Sequence, residues 1–178
     1  NPSKKLKIIG ITGTNGKTTT TQIIDHILKF NKISSSSLGT LGFNTPSGII
    51  STGFTTPESI DLQQILHTSV NGGLKNIVME VSSHSIDMHR IDGLNIDIAI
   101  FTNLSPEHLD FHKTMKNYLK SKQKLFTNLN DDKLCIINND DSSSKKIISK
   151  TNAKIITYGL SSNSDIYPIE YNFSNTGL

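Results

Sequence analysis

Tryptophan is absent from this sequence, cysteine occurs once, and aromatic residues make up only 6% of the chain. A core without tryptophan has to be aliphatic, and isoleucine and leucine supply it. A single cysteine excludes an intrachain disulfide. Cys135 sits in the apolar run Leu134-Cys135-Ile136-Ile137, the setting of a buried thiol in a reducing compartment. No apolar run approaches the roughly 18 residues of a membrane span, and the first residues lack the pattern of a secretory leader. A cytoplasmic protein with no membrane partner is therefore expected. An excess of one charge is missing too. The formal net charge is +3, with lysines interspersed among acidic residues, which gives no argument for a nucleic-acid partner.

What is present is the size and rhythm of one α/β domain. The 178 residues can bury a real core. Residues 7–12 form a short β-branched apolar run that reads as a buried strand, followed by a glycine turn at 13–16 and apolar residues at helical spacing over 17–31. Residues 34–37 are polar and read as a loop. Residues 38–54 carry four glycines around Asn44-Thr45-Pro46-Ser47-Gly48 and predict a hairpin. A helix is expected over 58–70 after Pro57, stopped by Gly72-Gly73. Strands are expected at 76–81, 96–102, 133–138 and 153–158, and helices at 114–129 and 142–150. The tail at 165–173 is strand-like. Strands alternating with helices predict a mostly parallel sheet flanked by helices on both faces, with a small antiparallel hairpin appended.

The sequence Gly13-Thr14-Asn15-Gly16-Lys17-Thr18-Thr19 lies between the first strand and the first helix. Its glycines let backbone N–H groups turn toward phosphate oxygens, and the helix N-terminus adds positive potential. Lys17 can reach the β- and γ-phosphates of ATP, and the Thr18 hydroxyl can bind Mg²⁺. The general phosphate-loop pattern places a glycine where this chain has Ile11, so the match is a shorter G-x-x-G-K-T.

Several further segments follow in order: Thr55-Thr56-Pro57-Glu58, Glu80-Val81-Ser82-Ser83-His84, a box from Thr102-Asn103-Leu104 through Glu107-His108-Leu109-Asp110-Phe111-His112, and Asn138-Asn139-Asp140-Asp141. Together with Ile11-Thr12-Gly13-Thr14-Asn15-Gly16-Lys17-Thr18-Thr19, this series resembles the Mur ligases, which build the peptide stem of peptidoglycan. The resemblance covers residues 4–160. Within the family it is closest in pattern to the tripeptide-synthetase (MurE) type, which adds the third stem residue. It implies a reaction in which ATP phosphorylates the terminal carboxylate of UDP-MurNAc-L-Ala-D-Glu. The amine of an incoming amino acid, diaminopimelate or lysine, then attacks the acyl phosphate. Two Mg²⁺ ions are implied as cofactors, as is a monomeric enzyme.

Individual residues carry a bland reading beside the implied one. Glu80 closes an apolar strand, where a carboxylate is costly unless it is paired or bound to metal; by itself it could equally be a solvated strand end. The resemblance makes it a Mg²⁺ ligand. His108 could be structural, and the resemblance makes it a metal contact, with Asp110 and His112 shaping the loop. Lys122 lies among Lys113, Lys116, Lys120 and Lys124, which reads as a solvated basic face. The family carries a carbamylated lysine fourteen residues beyond the box histidine His108, and that position is Lys122, a candidate N6-carboxylysine and metal ligand. Thr55 and Thr56 could cap the following helix; the resemblance assigns them, with Ser82 and Arg90, to the UDP-MurNAc-dipeptide. Arg90 suits a carboxylate, while Met88 stands where the family often has a glutamine. Asn138 could be a turn residue, and the resemblance places it beside the adenine. Ser82-Ser83-His84 is not a hydrolase site, because no G-x-S-x-G elbow is present.

The resemblance assigns all of residues 1–178 to the central ATP-binding domain of such a ligase, without its uridine-binding and amino-acid-binding domains. Two rivals remain. One is another ligase of the superfamily, of the folylpolyglutamate or cyanophycin type, which Thr55-Thr56-Pro57-Glu58 and Gly16-Lys17-Thr18-Thr19 disfavour. The other is a nucleotide-binding interaction module without catalysis, which the joint presence of Glu80, His108 and Lys122 disfavours.

Overall fold

The structure, a computed structural model, describes residues 1–172. Its elements run β1 (Lys7–Thr12), α1 (Lys17–Phe30), β2 (Ser35–Gly39), β3 (Gly42–Thr45), β4 (Gly48–Ile50), α2 (Ser59–Asn71), β5 (Asn76–Glu80) and α3 (Ser83–Asp87). They continue through β6 (Ile98–Phe101), α4 (Leu109–His112), α5 (Met115–Thr127), β7 (Leu134–Asn138), α6 (Ser144–Ile147) and β8 (Lys154–Tyr158). The eight strands form one sheet in the order β4-β3-β2-β5-β1-β6-β7-β8. From β2 to β8 all pairings are parallel, and β3 and β4 add the antiparallel hairpin at one edge. The expected fold class is the observed one.

Alternation along β1 builds two layers. Ile9 and Ile11, with Val78 and Ile100, pack against Ile24 and Leu28 of α1. Ile8 points to the opposite face, where Leu62 and Leu66 of α2 and Leu125 and Phe126 of α5 complete the larger core. Each fully buried aliphatic side chain there contributes about 1.5–3 kcal/mol. Cys135 is buried in this core, as expected.

The sheet has a switch point beside β1. The chain leaving β1 passes through α1 toward β2, and the chain leaving β6 passes through α5 toward β7. The two connections diverge from neighbouring strands, so a crevice opens at the carboxyl ends of β1 and β6, where open α/β sheets bind ligands.

Four expectations need correction. Of residues 34–37, expected as a loop, Ser35, Ser36 and Ser37 enter the sheet in β2 and are buried, while Ser34 stays outside it. Their hydroxyls are satisfied: Ser35 donates to Asp25 Oδ1 at 2.6 Å, Ser36 to the carbonyl of Asn44, and Ser37 accepts from Gln22 at 3.2 Å. The expected helix at 142–150 shortens to Ser144–Ile147. The strand-like tail makes a single parallel bridge, Tyr158 to Ile166, because Asp165 bonds back to Thr157 instead of extending a ladder; Phe173 lies outside the described residues. The short helices α3 and α4 occupy segments with no helical expectation. Among the described residues no helix is long and apolar enough to cross a membrane.

Candidate active site

The loop after β1 is shaped by the loop after β6. The amide of Thr14 donates to the carbonyl of Asn103 at 2.9 Å, and that of Asn15 to Asn103 Oδ1 at 2.9 Å. Thr102 Oγ1 donates to the carbonyl of Asn15 at 2.7 Å. The Thr14 hydroxyl accepts from the amide of Ser105 and shares a hydrogen bond with the Tyr118 hydroxyl at 3.2 Å. Gly13 has to be glycine: a Cβ there would overlap Thr102 Oγ1 and crowd the Asn103 backbone. Gly16, at φ 84°, is the N-cap of α1 and offers no side-chain cap. The first N–H groups of α1, including those of Lys17, Thr18 and the exposed Thr19, thus face the loop as an anion site.

Lys17 is folded onto this loop. Its Nζ donates to the carbonyls of Gly13 at 2.9 Å and Thr14 at 2.8 Å. Burial lowers its pKa against the opposing pull of Glu80 and Glu107. Glu80 is 1% exposed at the end of β5. Its Oε2 accepts from Thr18 Oγ1 at 2.9 Å, and its Oε1 from the amide of Thr40 at 2.8 Å. A buried carboxylate beside a threonine hydroxyl is a hard-oxygen donor pair of the kind Mg²⁺ takes.

Lys122 resolves the lysine-rich helix. It is 1% exposed while Lys116, Lys120 and Lys124 are exposed, so one lysine alone of that group points inward. Its Nζ donates to the carbonyl of Gly13 at 2.9 Å and lies 4.4 Å from the centre of the Tyr118 ring, one helical turn earlier. Burial, reinforced by the neighbouring charge of Lys17, lowers its pKa to about 7.

His108 adopts a left-handed conformation, φ 55°, at the N-cap of α4. Its ring meets that of His84 edge-on at 4.8 Å, and its Nε2 lies 3.6 Å from the Glu107 carboxylate. His112 is buried, with its Nε2 hydrogen bonded to Ser83 Oγ at 2.8 Å and its Nδ1 3.4 Å from Asp87. From α4 it thus holds on to α3, with its ring 4.9 Å from that of Tyr118 in α5. Among the described residues no group of three or more His, Cys, Asp or Glu side chains forms a metal cage. Beside His108 these contacts place one carboxylate, that of Glu107, and Lys122 is an amine.

Neither Thr55 nor Thr56 caps α2, whose N-cap is Glu58. Thr55 shares a hydrogen bond with Thr40 at 3.1 Å. Thr56 donates to the carbonyl of Glu80 at 2.9 Å and accepts from the amide of Ser82. Ser82 caps α3 by accepting from the amide of Ser85 at 3.0 Å. Arg90 reaches the carbonyl of Thr56 at 3.1 Å. Asn138 sits apart at the end of β7: its amide donates to the carbonyl of Thr102 at 2.7 Å, and its Oδ1 accepts from Asp140.

A cavity of about 350 Å³ brings together Lys17, Thr56, Ser82, Arg90, His108 and Lys122. A larger one of about 580 Å³, bordered by Asn95, Leu129 and Lys133, contains none of them. The smaller cavity is the candidate site, because Lys17 of the loop, the buried Lys122, His108 and Arg90 converge there; Glu80 is not in its lining and joins the loop through Thr18. Sequence reasoning missed Thr40 on Glu80 and Phe54 over Arg90, and it gave Thr102 and Asn103 of the box no role under the loop. Tyr118, four residues before Lys122 on the same helix, lies beneath it.

Comparison with known proteins agrees with this arrangement. Residues 11–177 match the Mur ligase middle domain. The chain belongs to the Mur ligase family. A UDP-N-acetylmuramoyl-L-alanyl-D-glutamate–2,6-diaminopimelate ligase from Caldanaerobacter subterraneus is 47% identical over 160 residues, covering 90% of this chain and 33% of that protein. The ligase of the same name from Aquifex aeolicus is 41% identical, covering 99% of this chain and 36% of its own. A solved structure of such a ligase superposes with a TM-score of 0.85 at 32% identity, over 97% of this chain and 36% of that one. The chain thus spans about a third of the length of the curated relatives it matches.

Proposed function

We propose that this chain is the ATP-binding central domain of a ligase that joins diaminopimelate to UDP-MurNAc-L-Ala-D-Glu, flanked in the full-length enzyme by uridine-binding and amino-acid-binding domains. The observation that carries the reading is Lys122. A lysine buried against the phosphate loop, with its pKa brought down to about 7, holds a large neutral fraction near neutral pH. A neutral amine can add to CO₂: a C–N bond forms, the nitrogen loses a proton, and the amine becomes a carbamate anion in the cavity that His108 also lines. That change would add a second anionic group to the Glu107 carboxylate already beside His108.

The remaining roles follow from the geometry. The α1 N-terminus and Lys17 bind the ATP phosphates, with Lys17 exchanging the carbonyls of Gly13 and Thr14 for phosphate oxygens. Thr18 and Glu80 would hold one Mg²⁺, and His108 with carbamylated Lys122 the other. The metal, when bound, neutralises charge on the transferred phosphoryl group and on the acceptor carboxylate. Thr55, Thr56, Ser82 and Arg90 orient the UDP-MurNAc-dipeptide, and Asn138 borders the adenine. The named relatives act with 2,6-diaminopimelate, which favours it over lysine as the third residue.

The test is the full-length enzyme supplied with ATP, Mg²⁺, UDP-MurNAc-L-Ala-D-Glu and diaminopimelate. Amide product with stoichiometric ADP and phosphate is expected, together with a CO₂ adduct on Lys122 by mass spectrometry. Absence of product would overturn the reading, and product made by this domain alone would overturn the division of labour among domains.

A further inference from the structure

The guanidinium of Arg90 is held in an unfinished way. Its side chain is 10% exposed. Nη1 donates to the carbonyl of Thr56 at 3.1 Å. Nη2 pairs with Glu58 Oε1 at 2.6 Å and touches Met88 Sδ at 3.3 Å. The Phe54 ring covers the plane at 4.6 Å. Nε is buried and has no acceptor. Nε and Nη2 share the edge of the guanidinium that a carboxylate grips side-on with two parallel bonds. Glu58 supplies one of those bonds and leaves the other unmade. A buried N–H without an acceptor is a standing penalty that a better-placed oxygen would relieve.

We propose that Glu58 is a resident carboxylate that occupies Arg90 in the empty site and gives way to the carboxylate of the incoming substrate. The two ends of this pair differ in freedom. Glu58 is 51% exposed at the start of α2, so it can rotate into solvent at little cost, whereas Arg90 is packed between Phe54 and Met88 and stays in place. A bidentate substrate carboxylate satisfies Nε as well as Nη2, so exchange replaces one bond with two. Glu58 keeps the arginine extended toward the cavity between turnovers, and the same pairing weakens substrate binding by competing for the site. Glu58 and Phe54 thereby set how strongly the enzyme holds an acidic acceptor. Met88, an acceptor too weak to complete the edge, leaves Nε available to the substrate.

This inference rests on the assignment of Arg90 to the acceptor substrate, and the experiment separates the two. Steady-state KM for UDP-MurNAc-L-Ala-D-Glu is measured in the full-length enzyme for the parent, Glu58→Gln and Arg90→Lys. Glu58→Gln keeps the shape of the side chain and removes the competing charge, so KM for the acceptor should fall about two- to fivefold, the range of a half-exposed ion pair. A KM that is unchanged or raised in an active Glu58→Gln enzyme overturns the proposal and makes Glu58 a plain brace. Arg90→Lys cannot present the two-pronged edge and should raise the same KM. If it does not, the assignment of Arg90 fails, whatever Glu58→Gln shows. An enzyme that forms no amide from this acceptor removes both.

Discussion

The Nζ atom of Lys122 donates to the carbonyl of Gly13 across 109 residues of sequence, at 2.9 Å. One bond thus fastens the inward face of α5 to the proposed phosphate loop. The bond sits in a buried place, and the folded protein holds the amine near a pKa of about 7 against 10.5 in the unfolded chain. Between those values the unfolded state binds the extra proton, so stability should rise with pH through that window. Urea unfolding of this domain in CO₂-depleted buffer should show that slope, and Lys122→Met should flatten it. The same variant should abolish ligation in the full-length enzyme. An identical slope in parent and variant would contradict the assignment.

Gly39 gives a second handle on the same centre. A Cβ at this position would collide with the Glu80 carboxylate, which leaves the shift to Glu80 because Gly39 is fixed in β2. Gly39→Ala should therefore displace a proposed metal ligand and disturb the phosphate loop only through the Thr18 hydroxyl. Misplacement on the scale of an ångström costs about 10²-fold in rate, and ligation by the full-length enzyme should fall accordingly. ATP binding measured without Mg²⁺ should hold close to that of the parent.

How much of this was legible in the sequence depended on which force decided each feature. Strong apolar periodicity set β1, β5 and α5, and these were readable. β2 was not, because Ser34-Ser35-Ser36-Ser37 has no apolar signal; its place comes from hydrogen bonds to Asp25, Asn44 and Gln22, residues distant in the sequence or on a neighbouring strand. The short α3 and α4 form where Ser82 and His108 start a turn after a strand, too briefly for a period to show. The site divides in the same way. Chemistry carried by local motifs, as in Gly13-Thr14-Asn15-Gly16-Lys17-Thr18, was plain. The buried state of Lys122 among exposed lysines, and the partners Thr40, Asn103 and Phe54, depend on tertiary placement.

Thr18 tests the link between loop and carboxylate. Its hydroxyl donates to Glu80 Oε2 at 2.9 Å in a partly buried setting. Thr18→Val preserves shape and leaves that oxygen one donor short, at a cost of about 1–3 kcal/mol. Thermal unfolding of the domain should register the loss. If Thr18 also serves Mg²⁺, the full-length variant should need a higher Mg²⁺ concentration for half-maximal rate, whereas a purely structural threonine would leave that requirement unmoved.

The pairing of His112 with Ser83 makes a prediction about acid. His112 is buried, and burial is the largest cause of its lowered pKa, with Asp87 pulling the other way and His84, Lys122 and His108 adding to the decrease. The unfolded chain therefore takes up a proton that the folded chain resists, and stability should fall as pH drops below about 6.5, the ordinary value for histidine. Ser83→Ala removes the partner of Nε2 and strands a buried polar atom. It should destabilise the domain by about 1–3 kcal/mol at neutral pH. His112→Phe keeps a ring between Tyr118 and His84 and cannot charge, so its stability should decline less on acidification than that of the parent. Chemical denaturation of the three proteins at pH 7.5 and pH 5.5 would measure both effects, and parallel losses in parent and His112→Phe would show that other groups govern the acid response.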